Sequence, residues 1–258
     1  MPEEAVLFER ITPHVALITL NRPDKKNAVN IDIAQGLSKA VHTVESDPDL
    51  RVAILAAKGN VFCAGADLGE VAAGRGTNCM TETGGFAGFV KEPRTKPWIA
   101  AVDGVALGGG FELILACDMA IITETSKLGL PEVKRGLLAA AGGAFRVGIS
   151  LPRAIANEIV TTGLPLSAER ALQYGVVNKV TKAGQAIEAA VEMANEIASN
   201  APLSVTQSLA LSRSAHDNTE AELWEMSDKS TIVVMSSDDA KEGPRAFMEK
   251  RAPLWSGK

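Results

Sequence analysis

Asp103-Gly104-Val105-Ala106-Leu107-Gly108-Gly109-Gly110-Phe111-Glu112-Leu113 decides how the chain is laid out. It follows a short apolar run, Ile99 to Val102, whose length and flanks predict a buried strand. It leads into Leu113 to Cys117, an apolar stretch that predicts a helix. Three glycines at a helix start leave backbone amides uncovered at the positive end of the helix dipole. Such amides can stabilise a developing oxyanion, and they can also bind phosphate. Neither a Gly-Lys-Ser/Thr ending nor a G-x-G-x-x-G spacing is present, so P-loop and dinucleotide-binding readings fail here. Glu112 falls in the first turn, where an acid is commonly a dipole-favoured surface group. Its neighbours Phe111, Leu113, Ile114 and Leu115 predict instead a partly buried carboxyl with a raised pKa.

Two further segments flank this one. Upstream, Phe62-Cys63-Ala64-Gly65-Ala66-Asp67-Leu68 follows a predicted strand at 52–57 and the turn Lys58-Gly59-Asn60. Its small residues let a ligand approach the main chain, although by themselves they fit a packing loop equally well. Downstream, Leu128-Gly129-Leu130-Pro131-Glu132 sets a second acid just after a proline turn. Alone, Glu132 fits a surface acid paired with Lys134 or Arg135.

Outward from these, Val6 to Ile11 and Val15 to Leu20 predict a hairpin. Asp32 to Ser46 has apolar residues at helical spacing. Met119 to Ile122 and Val176 to Val180 predict further strands. Strands alternating with helical patterns give an α/β architecture with covered sheets. Residues 69–92, rich in Gly and Thr, have no clear period and are expected to form a long mobile loop or loosely held helix. Beyond residue 150 the character turns helical. Pro152, Ser167 and Gly163 are expected at helix ends, and Ser237 is expected to cap a last short helix before Gly243-Pro244.

The 258 residues carry a net charge of −5, with 46% apolar and 22% charged residues. That balance disfavours broad nucleic-acid or membrane-surface binding. No apolar run reaches the roughly 18 residues of a spanning helix. Cys63, Cys79 and Cys117 are odd in number and form no C-x-x-C pair, which predicts a reducing compartment, by default the cytoplasm. The start of the chain has neither a signal-peptide nor a transit-peptide pattern. His14, His42 and His216 fall in no metal spacing, so no metal site is expected, and no G-x-S-x-G elbow occurs.

The three segments, in this order and spacing, resemble the crotonase superfamily, the enoyl-CoA hydratase/isomerase family. The likeness extends over nearly the whole chain. It includes Leu20-Asn21-Arg22-Pro23, the stretch from Ala171 to Val180, and Glu242-Gly243-Pro244-Arg245-Ala246-Phe247. The resemblance implies a spiral of ββα units over residues 1–200, followed by a helical oligomerisation region over 201–258. It implies a homotrimer, or a hexamer of paired trimers. It also implies an acyl-CoA thioester substrate with no permanently bound cofactor, coenzyme A being part of the substrate. Carried over residue by residue, Ala64 and Gly109 match the oxyanion-hole amides, and Glu112 and Glu132 match the two catalytic glutamates. Lys26, Ala28, Ala64, Gly65, Ala66, Asp67, Leu68 and Gly109 match the coenzyme and substrate contacts. Lys250 lies in a segment that approaches the coenzyme phosphates in the family.

Retention of both acids points to an enoyl-CoA hydratase, a hydro-lyase adding water to a trans-2-enoyl-CoA, in fatty acid or related acyl-CoA metabolism. Gly84-Gly85-Phe86-Ala87-Gly88 and Glu242-Gly243-Pro244 are also similar to carnitinyl-CoA dehydratases, the same chemistry on a trimethylammonium acyl group. An enoyl-CoA isomerase and a non-catalytic acyl-CoA binder are the remaining alternatives. Leu137-Leu138-Ala139-Ala140-Ala141 departs from the more polar turn of many hydratases, which leaves the acyl group open.

Overall fold

In a computed structural model that describes residues 4–258, the chain begins with the hairpin β1 (Val6–Thr12) and β2 (Val15–Leu20). Helix α1 (Ile31–Ser46), capped by Asn30, leads to β3 (Val52–Ala57) and β4 (Val61–Cys63). A short helix α2 (Leu68–Ala72) and the two-residue strands β5 (Met80–Thr81) and β6 (Gly85–Phe86) precede β7 (Trp98–Val102) and β8 (Val105–Leu107). Then follow α3 (Gly109–Ala116), β9 (Met119–Thr123), β10 (Lys127–Gly129), α4 (Gly143–Ser150), α5 (Arg153–Thr162), β11 (Leu166–Ser167), α6 (Ala168–Gln173) and β12 (Lys179–Thr181). The chain closes with α7 (Ala186–Ala198), α8 (Pro202–Ser214), α9 (Glu220–Met235) and α10 (Asp239–Glu249).

The strands come in consecutive pairs that split between two sheets. The larger sheet has the order β1-β2-β3-β7-β9-β12, the smaller one β11-β10-β8-β4. Each of the pairs β3/β4, β7/β8 and β9/β10 gives one strand to each sheet, so the chain winds as a spiral. Within the larger sheet only β1 and β2 pair antiparallel. Val52, Ile54, Ile99 and Ile121 face the alanine-rich side of α7, while Ala53, Leu55 and Ala100 face the core under α1 and α3. Both faces are therefore covered, which is why these strands read as unbroken apolar runs.

Three expectations change. Residues 69–92 are not a loose loop: α2, a 3-10 turn at Gly76–Cys79 and the β5–β6 hairpin order them. Their anchors are distant in sequence. Cys79 Sγ donates to the Val29 carbonyl at 3.0 Å, and a Cβ on Gly88 would lie 2.3 Å from the Ala34 carbonyl oxygen. The strand expected at 176–180 starts later, at Lys179, because Asn178 opens the ladder through both its amide and its side chain to Ala120. Helix α10 runs through Gly243-Pro244 rather than stopping before it. Ser237 Oγ accepts from the Ala240 amide as expected, and Arg251 pairs with Glu242 on the helix.

One buried side chain fixes the approach to the small sheet. Asn27, at φ 51°, accepts from the Arg22 amide at 2.8 Å and donates to the Lys58 and Val61 carbonyls at 2.9 and 2.7 Å. Asn27→Ala removes all three of these bonds, made by a side chain that is itself fully buried. It is expected to cost about 2–3 kcal/mol of unfolding free energy, read by urea denaturation.

Candidate active site

Helix α3 starts where the two sheets meet. A Cβ on Gly110 would lie 2.1 Å from the Cys63 carbonyl oxygen, so only glycine lets the helix start this close to the end of β4. Gly108 caps the helix at φ 55° and donates its amide to the Gly129 carbonyl at 2.8 Å, tying β8 to β10. The amide of Gly109, first in the helix, has no partner within the helix.

Glu112 is 3% exposed. Its Oε1 accepts the Gly143 amide at 2.8 Å, and the Ala141 amide also bonds to the carboxylate. Burial pushes the carboxyl up to about 7, Glu132 adds to the rise, and the two amides and Arg146 oppose it. A Cβ on Gly143 would lie 2.9 Å from Glu112 Oε1, so the turn closes directly on the acid.

Glu132 sits in a 3-10 turn, Pro131–Arg135, whose proline is at its start. Its carboxyl reaches Gly108: a Cβ there would lie 3.0 Å from Glu132 Oε1. Burial raises its pKa, and its buried Oε2 has no hydrogen-bond partner among the described residues. The Glu132 charge bears on the Glu112 carboxyl, so the two acids face one site at the helix start.

The oxyanion role expected of the Ala64 amide is corrected, because that amide donates to the Lys26 carbonyl at 3.0 Å. The free donor is two residues on. Ala66 bridges Val29 in parallel; the Val29 amide bonds to the Gly65 carbonyl and the Asp67 amide to the Val29 carbonyl. That pattern turns the Ala66 N–H away from Val29, and it has no acceptor among the described residues. A Cβ on Gly65, at φ 95°, would lie 3.2 Å from the Gly109 nitrogen, so the Ala66 and Gly109 amides are neighbours. The F-C-A-G-A-D pattern placed this donor in the right segment, but only the parallel bridge tells which amide is free.

The remaining expected contacts separate. Lys26 is exposed at φ 53°, and Leu68 is exposed at the start of α2. The Ala28 carbonyl already accepts Arg22 Nη1 at 2.6 Å. Asp67 caps α2 through the Gly69 amide at 3.1 Å and pairs with Arg22 at 3.4 Å, which makes it a brace for the segment. Lys250 ends α10 at φ 53°. Two residues at the site were not legible in the sequence. Phe86 lies with its ring against Gly109, where a Cβ would come 2.3 Å from Cζ, and Arg146 stands behind the Glu112 turn. Arg146 belongs to no motif, the Gly84–Gly88 stretch gave Phe86 no place at the acids, and both reach the site from separate elements.

Together the acids and amides can hold a carbonyl oxygen, take a proton from a water and deliver another to carbon. Among the described residues no cluster of three metal-ligating side chains occurs, and no helix is long and apolar enough to cross a membrane.

The sequence profile of the enoyl-CoA hydratase/isomerase family matches residues 10–258. The chain is 40% identical over 247 residues to a carnitinyl-CoA dehydratase of Salmonella typhi, covering 93% of this chain and 94% of that protein. It is similar to the crystal structure of an enoyl-CoA hydratase from Mycobacterium tuberculosis, with TM-score 0.95, 42% identity and coverage of 99% and 100% of the two chains. A carnitinyl-CoA hydratase structure from Mycobacterium avium is also 42% identical, at TM-score 0.78 over 99% of this chain and 100% of that one.

Gly143→Ala is expected to push Glu112 off its amide donors. Since those donors favour the ionised form, the Glu112 carboxyl should then titrate above about 7, as read by NMR of a carboxyl-labelled sample.

Proposed function

The chain belongs to the enoyl-CoA hydratase/isomerase family, and we propose that it is a hydro-lyase acting as an enoyl-CoA hydratase, through Glu112, Glu132 and the amides of Ala66 and Gly109. The observation that carries this is a buried Glu112 carboxyl and a half-buried Glu132 carboxyl close enough for one to raise the other, beside two adjacent amides. The thioester oxygen of a trans-2-enoyl-CoA accepts from the Ala66 and Gly109 N–H groups, which stabilises the enolate formed on attack at the β-carbon. One such donor is typically worth about 3–4 kcal/mol of barrier. Water loses a proton to Glu112 as its oxygen bonds to the β-carbon. Glu132, whose bare Oε2 suits a protonated carboxyl, delivers a proton to the α-carbon. Dehydration runs the same steps in reverse. A Glu112 carboxyl at about 7 is partly ionised near neutral pH, so it can take and return the proton.

A second reading is a carnitinyl-CoA dehydratase, favoured by the names of the curated relatives. It uses the same catalytic atoms on a trimethylammonium acyl group. Such a cation wants an aromatic face or a carboxylate. The Phe86 ring, which lies against Gly109 at the oxyanion amides, is the aromatic candidate. Turnover of crotonyl-CoA against crotonobetainyl-CoA separates the two readings. An isomerase or a silent binder has no need of two such acids.

The chain also works as a homotrimer or paired trimers under this reading. What supports it is the apolar surface of the last helices, with Trp224, Ile232, Met235, Phe247 and Met248 all more than 60% exposed. Multi-angle light scattering should give a mass of at least three 27.0 kDa chains, and a monomer would sink the assembly.

Glu112→Gln and Glu132→Gln are each expected to cut kcat for crotonyl-CoA hydration by roughly 10²–10⁴-fold. If both variants hydrate at the wild-type rate, the assignment of the acids is wrong. Since the base must be ionised, kcat/KM should fall below about pH 7 as Glu112 takes up its proton.

A further inference from the structure

Arg146 stands one turn into α4, against the Ala141–Gly143 turn that holds the Glu112 carboxylate. Its Nη1 donates to the Ala141 carbonyl at 3.1 Å, and its Nη2 donates to the Val90 carbonyl at 2.7 Å. Its own amide donates to the Gly142 carbonyl at 2.9 Å. A Cβ on Gly142 would lie 2.3 Å from Nη1, so the guanidinium is pressed against the turn. Ala141 and Gly143 in that turn supply the two amides that hold Glu112. Val90 ends the buried stretch that starts at Gly84 and places Phe86 against Gly109. One planar fork thus ties the support of the first acid to the wall beside the oxyanion amides. The positive charge also bears on Glu112 across the turn, opposite in sign to Glu132.

We propose that Arg146 is a positioning residue for the hydration site, clamping the Ala141–Gly143 turn so that its amides stay on Glu112. The inference rests on the hydratase reading. The charged groups that face Glu112 are Glu132 from the 3-10 turn and Arg146 from α4. Glu132 works against ionisation and Arg146 works for it. Without Arg146, Glu112 faces only another acid, and its amide donors lose the brace behind them. Both changes act in the same direction: less base at neutral pH. An arginine is suited to this because its fork reaches two carbonyls on separate segments while remaining charged. A lysine keeps the charge but not both bonds.

The test is the pH profile of crotonyl-CoA hydration by the full-length wild type, Arg146→Gln and Arg146→Lys, with thermal melting run alongside. Wild-type turnover is measured first, and its absence would refute the hydratase reading itself rather than the role of Arg146. With an active wild type, Arg146→Gln is expected to move the acidic limb of kcat/KM upward by roughly half to one pH unit. Its kcat at pH 7 should fall about tenfold, with KM within about twofold. Arg146→Lys is expected to keep the limb near its wild-type position and to lose several-fold in kcat. The proposal is overturned if Arg146→Gln loses activity equally at every pH, since a merely structural role would lower melting temperature without reshaping the profile. It is also overturned if Arg146→Lys matches the wild type in both kcat and profile, which would make the fork unnecessary. Should Arg146→Gln not fold, an upward-shifted limb in Arg146→Lys overturns the charge effect, and an unshifted limb with reduced kcat supports the proposal.

Discussion

The start of α3 lies against the end of β4, with no room for a side chain between Gly110 and the Cys63 carbonyl. The arrangement of the site follows from this close approach. It brings the first helical amide, at Gly109, next to the free amide at Ala66. It places Glu112 one turn into an apolar helix, where its carboxyl is buried. It also opens the space above Gly108 into which the Glu132 carboxyl reaches. A methyl group on any of these glycines would move a reacting group by a distance that proximity arguments count as costly.

Electrostatics then sets the two acids apart. Glu112 receives two backbone amides and faces Arg146 and Glu132, whereas Glu132 bonds to its own backbone, faces Arg135 and keeps one buried oxygen with no partner among the described residues. Hydrogen bonds to the anion favour ionisation, and an unpartnered buried oxygen favours the protonated form. Burial raises both. For Glu112 the linkage is unfavourable above its ordinary range. Its folded-state pKa is raised from 4.5 to about 7, so stability is fully present below 4.5 and declines as pH rises through about 7. The fold gives up some stability at neutral pH to keep a base poised in a dry site.

The periphery holds this centre from a distance. The segment expected to be loose is ordered by residues far from it in the chain, and it delivers Phe86 to Gly109. The helical end docks through Arg213, which pairs with Asp118 at 2.7 Å just past α3, and through Arg51, which donates to the Ala198 carbonyl at 2.8 Å. The outer surface of those helices stays apolar and exposed.

Unlike the short strands of the smaller sheet, the buried runs of the large sheet, the long helices, the cap at Ser167 and the candidate acids Glu112 and Glu132 were legible in the residues themselves. These are local properties: hydrophobic period, turn chemistry and a glycine run before an acid within reach of the eye. What tertiary structure alone decided was non-local. It chose Ala66 over Ala64, since a parallel bridge to Val29 and a bond to Lys26 fix which amide is spent. It ordered residues 69–92 through Val29 and Ala34, and it carried α10 through Pro244. It set Arg146 behind Glu112 and Phe86 beside Gly109, from elements that no spacing rule connects. A sequence records which groups are available, but which of them remain free for substrate depends on partners that only folding brings into contact.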